Sequence, residues 1–215
     1  MKDNDISIVL LQETHVNLNV REQRKHFTWL FAGDVDKKTV DGKLTPNTEA
    51  GVAIVIDNEL LNFIWDIQPI SDRIMTLTLG YRIPINFVNS YSPHAKIHED
   101  IKYEHYDKLK SVQLKLQGKG PTYTAGDFNA RLQKRQTYAE TCIGQHTFDK
   151  RNHTLATQTA DVVENRNLLI THCMQTSNVI IDTFFPKSPM IKKLPSNIAK
   201  LGMAPLGQEI MDTKH

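Results

Sequence analysis

The sequence predicts an α/β fold in which a mixed β-sheet core is covered by helices. Short apolar runs rich in β-branched residues recur, as in Ile6–Leu11 and Gly51–Ile56. Two alternating segments, Arg73–Leu79 and Ile83–Asn89, stand in hairpin succession. Glu99–Gln117 places apolar residues at helical spacing. Strands and helices interleaved in this way bury their apolar faces as stacked layers around one core.

The elements follow in order. Ile6–Leu11 is nearly continuous in apolar character and reads as a buried strand, with Gln12, Glu13, Thr14 and His15 at its end. Residues 33–49 are polar, with glycine, proline and several charges, and read as a long surface loop. Gly51–Ile56 is a second buried strand. Arg73–Leu79 alternates, with Met75, Leu77 and Leu79 on one face, and stops at Gly80. Ile83–Asn89 is its antiparallel partner across a short turn. In Glu99–Gln117, Tyr106, Leu109, Val112 and Leu116 define one face, lysines lie between them, and Gly118 caps the end. Thr122–Ala125 is a short strand before Gly126-Asp127-Phe128-Asn129. Asp161 with Glu164 reads as a capping box opening a helix through Val162, Leu169 and Cys173. Val179–Phe184 is a last strand. From Pro186 onward, prolines, glycines and lysines replace any periodicity; four lysines and no acid lie between Lys187 and Gln208.

Composition bounds the class. With 215 residues the chain has room for one large domain or two small ones, at roughly 100–200 residues each. An apolar fraction of 40% and a charged fraction of 23% are those of ordinary globular proteins and exclude bulk disorder. The net charge of +2 is too small to announce nucleic acid by itself. Two cysteines, Cys142 and Cys173, make no disulfide framework and fit a reducing, intracellular setting, nucleus or cytoplasm, rather than secretion. No signal peptide and no run of ~20 apolar residues is present, so no membrane role is expected.

Two acids stand at strand ends, where a rigid frame meets solvent. Glu13 follows the first strand, and a carboxylate there can hold Mg²⁺ while leaving room for a substrate phosphate; it also reads as an exposed acid that begins a loop. Asp127 sits in a Gly-Asp-x-Asn turn. It reads either as a self-bonded Asx turn or, with Asn129, as the acid and amide that phosphate hydrolysis needs. Tyr91 ends another strand, as an oxyanion donor or as a packed ring. The nine histidines form no zinc motif, and His94, His98 and His105 read as surface residues near a helix start. No Walker A sequence and no dinucleotide fingerprint occurs, so no nucleotide cofactor is expected.

The order of these motifs says more than any one of them. Leu11-Gln12-Glu13-Thr14-His15 is followed by Gly51–Ile56, then Asp72-Arg73-Ile74, then Asn89-Ser90-Tyr91-Ser92-Pro93, then Gly126-Asp127-Phe128-Asn129-Ala130-Arg131. This succession resembles the endonuclease/exonuclease/phosphatase superfamily, the metal-dependent phosphodiesterases related to apurinic endonucleases and deoxyribonuclease I. Ile143-Gly144-Gln145-His146-Thr147, Glu164-Asn165-Arg166-Asn167-Leu168-Leu169 and Asp182-Thr183-Phe184-Phe185 resemble the endonuclease domains of non-long-terminal-repeat retrotransposons and of host proteins derived from them. The resemblance spans residues 1–185 and leaves 186–215 as an irregular basic tail.

The resemblance implies a four-layer α/β/β/α sandwich of two mixed β-sheets flanked by helices, here incomplete. It implies hydrolysis of DNA phosphodiester bonds with Mg²⁺, or Mn²⁺ in its place. Glu13 matches the metal-binding glutamate, Asp127 the acid that orients or deprotonates water, and Asn129 the amide on the scissile phosphate. Tyr91 matches a tyrosine near the phosphate and Asn89 a supporting amide; Asn89, Asn129 and Arg131 form the substrate-binding set.

Two family elements are not recognisable. The family opens with a strand carrying an active-site asparagine well ahead of the glutamate, and twelve residues precede Glu13 here. It closes with a Ser-Asp-His element, whereas Ser71-Asp72-Arg73 lies mid-chain. Beyond Phe185 the closing strands are not legible, Gln208–Asp212 being a worn remnant at most. Two expectations therefore stand side by side: a retrotransposon-type endonuclease, or a catalytically inactive, truncated relative that binds DNA or a protein partner.

Overall fold

A computed structural model describes residue 1 and residues 5–33, 50–80, 82–147, 155–186 and, as backbone, 201–205. Residues 34–49, which make up nearly all of the expected surface loop, lie outside these.

Four strands form one antiparallel sheet. They are β1 (Ile8–Gln12), β2 (Val20–Gln23), β3 (Phe27–Ala32) and β4 (Val52–Asp57), in the order β1-β4-β3-β2. The strongly apolar β4 is central, and Val52, Ala53, Ile54, Val55 and Ile56 are all buried. β2 is a fully exposed edge, and the alternation of β3 buries Thr28, Leu30 and Ala32. Neither β2 nor β3 has a signal in the sequence reading.

The second sheet has six strands: β5 (Ile64–Ser71), β6 (Ile74–Gly80), β7 (Pro84–Tyr91), β8 (Thr122–Asp127), β9 (Asn178–Ile180) and β10 (Leu201–Pro205). Their order is β5-β6-β7-β8-β10-β9. β6 and β7 form the expected hairpin, in the register Leu77↔Phe87. β5 also escapes the sequence reading, because Pro69 interrupts it; the proline is accommodated at the sheet edge beside a register shift. β7 and β8 run parallel, joined by α1 (Glu99–Leu116) as the crossover.

The sheets pack face to face over Leu30, Ala32, Val52, Ile54, Ile56, Met75, Leu77 and Tyr91. The other face of the six-stranded sheet carries α1 and α2 (Ala160–Gln175) over Ile74, Val88, Tyr106, Leu109, Phe128, Leu169 and Cys173. Each such aliphatic side chain contributes about 1.5–3 kcal/mol on burial. Among the described residues no α-helix lies on the four-stranded sheet, so the described layers are β/β/α. The structure is an incomplete α/β sandwich, as predicted.

Three local expectations change. The helix expected to open on an Asp161–Glu164 box starts instead from Thr159, with no side-chain cap bond. Asp161 lies in the first turn, where the helix dipole favours its charge, and Glu164 turns to the buried Lys102 at 2.5 Å. The strand expected over Val179–Phe184 ends at Ile180. Thr183 ends it: its hydroxyl donates to the Ile180 carbonyl and accepts from the Gly144 amide, folding Ile181–Thr183 into a 3-10 turn. Within the stretch read as irregular, Leu201–Pro205 forms β10, paired with β8 at Met203↔Thr124 and with β9 at Met203↔Ile180. Its backbone is fixed by two neighbouring strands, which local periodicity does not report. The tail lysines, Gln208–Asp212 and His215 lie outside the described residues.

Candidate active site

The ends of β1, β7 and β8 meet at one end of the sandwich. Glu13 leaves β1 with φ +56°, and His15 follows with φ +56°. Left-handed backbone at two non-glycine residues is strained and is held here by neighbours: Thr14 and His15 donate to the carbonyls of Gly51 and Ala50 at 3.0 Å each. Gly51 is required at this crossing, because a Cβ there would lie 2.5 Å from the Thr14 hydroxyl.

Alternation along β7 sends Asn89 and Tyr91 toward the four-stranded sheet and Ser90 toward α1. Tyr91 donates its hydroxyl to Glu13 Oε1 at 2.9 Å. Burial and then the Glu13 carboxylate push the phenol up to about 12, while Arg73 pulls it down. Tyr91 is thus a proton-bearing donor at neutral pH. The Arg73 guanidinium lies 4.8 Å from the Tyr91 ring centroid, and its Nη1 is buried with no hydrogen-bond partner among the described residues.

Asn89 is completely buried. Its amide donates to the Leu11 and Ala53 carbonyls, both at 2.9 Å, and its carbonyl accepts from Gln12 at 2.5 Å. It ties the two sheets together directly beneath Glu13.

Asp127 pairs with Tyr91 across the parallel β7–β8 ladder, so both side chains share the face toward Glu13. Gly126 makes that approach feasible: it has φ +153°, and a Cβ there would lie 1.8 Å from the Ser90 carbonyl. Asp127 Oδ1 accepts from the Asn129 amide at 2.9 Å, so the expected Asx turn is formed. That is the only hydrogen bond from the Asp127 carboxylate to a described residue, and its second oxygen is unused by them. Asn129, at φ +48°, spends one side-chain N–H on the Ser92 carbonyl at 2.7 Å. Its second N–H has no such bond. Arg131, exposed on the same loop, reaches Gln158 at 3.5 Å. The structure therefore brings Glu13, Tyr91, Asp127 and Asn129 together, sets Asn89 beneath them and leaves Arg131 at the rim.

Several residues escaped the sequence reading. Asn165 of α2, 2% exposed, donates to the Pro93 and Asn129 carbonyls at 3.0 and 3.1 Å and clamps two site loops. Arg166 beside it is paired with Glu140 at 2.7 Å and holds the segment after Asn129. Both sit in the Glu164–Leu169 motif, whose order marked them and whose chemistry did not. His105 is not a surface residue: it is 6% exposed and lies 3.2 and 3.1 Å from the Ser90 and Ser92 hydroxyls. It stands one residue before Tyr106 on the periodic face of α1, which could have placed it. His94 and His98 are exposed.

The donors suit an oxygen-seeking divalent ion in kind. Glu13 is an exposed carboxylate, and the oxygens on either side of it in sequence, Gln12 Oε1 and Thr14 Oγ1, are buried without hydrogen-bond partners among the described residues. Among the described residues no three His, Cys, Asp or Glu side chains cluster as a metal cage. Mg²⁺ usually needs only one or two protein carboxylates. No helix among the described residues is long and apolar enough to cross a membrane.

Neither a protein-family model nor a curated protein sequence matches the chain. Solved structures do. The AP endonuclease LMAP from Leishmania major matches with a TM-score of 0.60 at 11% identity, over 96% of this chain and 72% of that one. The 3′ phosphatase NExo from Neisseria, solved bound to a product DNA hairpin, matches with a TM-score of 0.56 at 13% identity, over 95% of this chain and 78% of that one. An endonuclease/exonuclease/phosphatase family protein from Leptotrichia buccalis gives a TM-score of 0.46 at 10% identity, over 94% and 76%. The chain thus has the fold shared by LMAP and NExo, the endonuclease/exonuclease/phosphatase fold that its motif order predicts.

Proposed function

We propose that the chain is a retrotransposon-type endonuclease domain that hydrolyses DNA phosphodiester bonds. The observation that carries this reading is the convergence of Glu13, Tyr91, Asp127 and Asn129 at one strand-end cluster, joined by the Tyr91–Glu13 and Asp127–Asn129 hydrogen bonds. The Asp127 oxygen that no described residue uses takes the proton of the attacking water, and the Asx turn fixes the direction in which it points. The Asn129 side-chain N–H that no described residue accepts donates to a non-bridging phosphate oxygen as charge builds there. Tyr91 orients Glu13 and keeps its own proton, and Asn89 positions the β1 end from below. Arg131 contacts a phosphate at the rim. Glu13 would hold Mg²⁺ or Mn²⁺, whose chemistry is to neutralise phosphate charge. A nuclear or cytoplasmic setting suits such a substrate and the two buried cysteine thiols.

Nicking of supercoiled plasmid with Mg²⁺ tests the reading. Asp127→Ala is expected to slow nicking by about 10²–10⁴-fold in a protein that still folds, with at most the modest loss of stability that the missing Asx-turn hydrogen bond brings. Equal rates for wild type and variant would refute the assignment. DNA binding without nicking by the wild type would favour the inactive, DNA-binding alternative.

A further inference from the structure

We infer that His105 is a positioning residue for this hydrolysis: from behind the sheet it fixes Ser90 and Ser92, and through them Tyr91 and Asn129. The inference rests on the hydrolase reading above. His105 belongs to α1 and faces away from the proposed phosphate position, so it touches none of the groups assigned to chemistry. Its Nε2 sits between two hydroxyls, 3.2 Å from Ser90 Oγ and 3.1 Å from Ser92 Oγ. Ser90 is fully buried and Ser92 is 1% exposed. His105 Nε2 thus bridges two buried hydroxyls from the end of β7, and all three groups are removed from water.

The backbone they hold is that of the site. Tyr91 lies between the two serines and points the opposite way, to Glu13. The Tyr91 amide donates to the Arg73 carbonyl at 2.8 Å. The Ser92 amide donates to the Asp127 carbonyl at 2.8 Å, and the Ser92 carbonyl receives the Asn129 side-chain amide at 2.7 Å. Any slip of Ser92 therefore moves Asn129 and the Asp127 turn together. Tyr106, packed edge-on at 5.4 Å, keeps the imidazole in place. Burial first, then the nearby positive groups Arg73, His172 and Lys108, hold the His105 pKa down to about 3, so the ring is neutral throughout the neutral range. An apolar residue of the same size would fill this position of α1 and remove both of these contacts.

The test compares wild type, His105→Phe and His105→Gln in steady-state plasmid nicking with Mg²⁺, with folding checked by circular dichroism. The phenylalanine variant is expected to lose about tenfold to a hundredfold in kcat with little change in KM, because misplacement by about 1 Å costs on that order. Glutamine, which keeps a polar group at the serines, is expected to recover most of the loss. A kcat for the phenylalanine variant within about twofold of wild type would overturn the inference; a purely structural role shifts melting without splitting kcat from KM. If the phenylalanine variant does not fold, Ser92→Ala takes its place with the same expected loss and the same overturning result. If wild type does not nick at all, the hydrolase reading fails on its own. The Asn129 side-chain amide protons, followed by NMR exchange, then decide: about tenfold faster exchange in the variant supports positioning, and equal exchange overturns it.

Discussion

Between the two sheets, Leu30, Ala32, Val52, Ile54, Ile56, Met75 and Leu77 close a seam that is mostly carbon against carbon, interrupted by Thr28, Asn89 and, at its end, Tyr91. Under the helices the interior is different. There Lys102, His105, Gln113, Asn165, Arg166, His172 and Asn178 are buried among Leu109, Val112, Leu169 and Ile180. Gln113 donates to Thr124 at 2.6 Å and accepts from Asn178 at 3.0 Å, Lys102 meets Glu164, and Arg166 meets Glu140. The dry seam holds the sheets together by area, which is non-directional. The polar interior holds loops at defined distances, which is what a site assembled from loop residues needs. It also fails more abruptly, because removing one partner strands the other without water.

That contrast can be broken at three levels. The largest effect expected is of pH. Burial, with smaller contributions from nearby positive groups, holds His105 at about 3 and His172 at about 4, against an ordinary value of 6.5. Below about pH 6.5 the unfolded chain therefore binds protons that the folded chain refuses. Stability is level above that value and falls as the pH drops toward 4. Urea midpoints measured between pH 7 and 4.5 should decline, and replacing both histidines with phenylalanine should flatten the decline. A flat wild-type profile would show that neither imidazole is buried neutral.

The next effect is at Arg166, 1% exposed and paired with Glu140 at 2.7 and 3.0 Å. Arg166→Ala should cost about 3–5 kcal/mol, because a buried carboxylate loses its partner. Replacing both residues, as Arg166→Met with Glu140→Leu, should cost clearly less in the same urea titration. Equal losses would mean that the pair acts as packing alone. The smallest effect is in the seam: Ile54→Val, at a fully buried position, should cost about 0.5–1.5 kcal/mol and leave the nicking rate of the folded protein unchanged.

Legibility in the sequence follows the same divide. β1, β4, β6, β7, β8 and α1 were readable because each carries its own signal: β-branched runs, alternation, or a 3.6-residue period ending at Gly118. β2 has no such run, β3 carries an aromatic run from Phe27 to Ala32 that the reading passed over, β5 is interrupted by proline, and β10 exists through its pairing with β8 and β9. Glu13, Tyr91, Asp127 and Asn129 were legible as polar residues at the ends of recognisable strands, and their motif order indicated the fold. The Tyr91–Glu13 bond, between residues 78 positions apart, was not.

The sequence alone thus determined the local frame and the chemical types at its strand ends, since both depend on neighbours within a few residues. Only the tertiary structure decided which ends meet, that His105 is buried behind Ser92, that Asn89 spans two sheets, and that Asn165 clamps two loops. Those outcomes depend on contacts between residues far apart in the chain. A polar side chain looks the same in sequence whether water or another buried group will satisfy it.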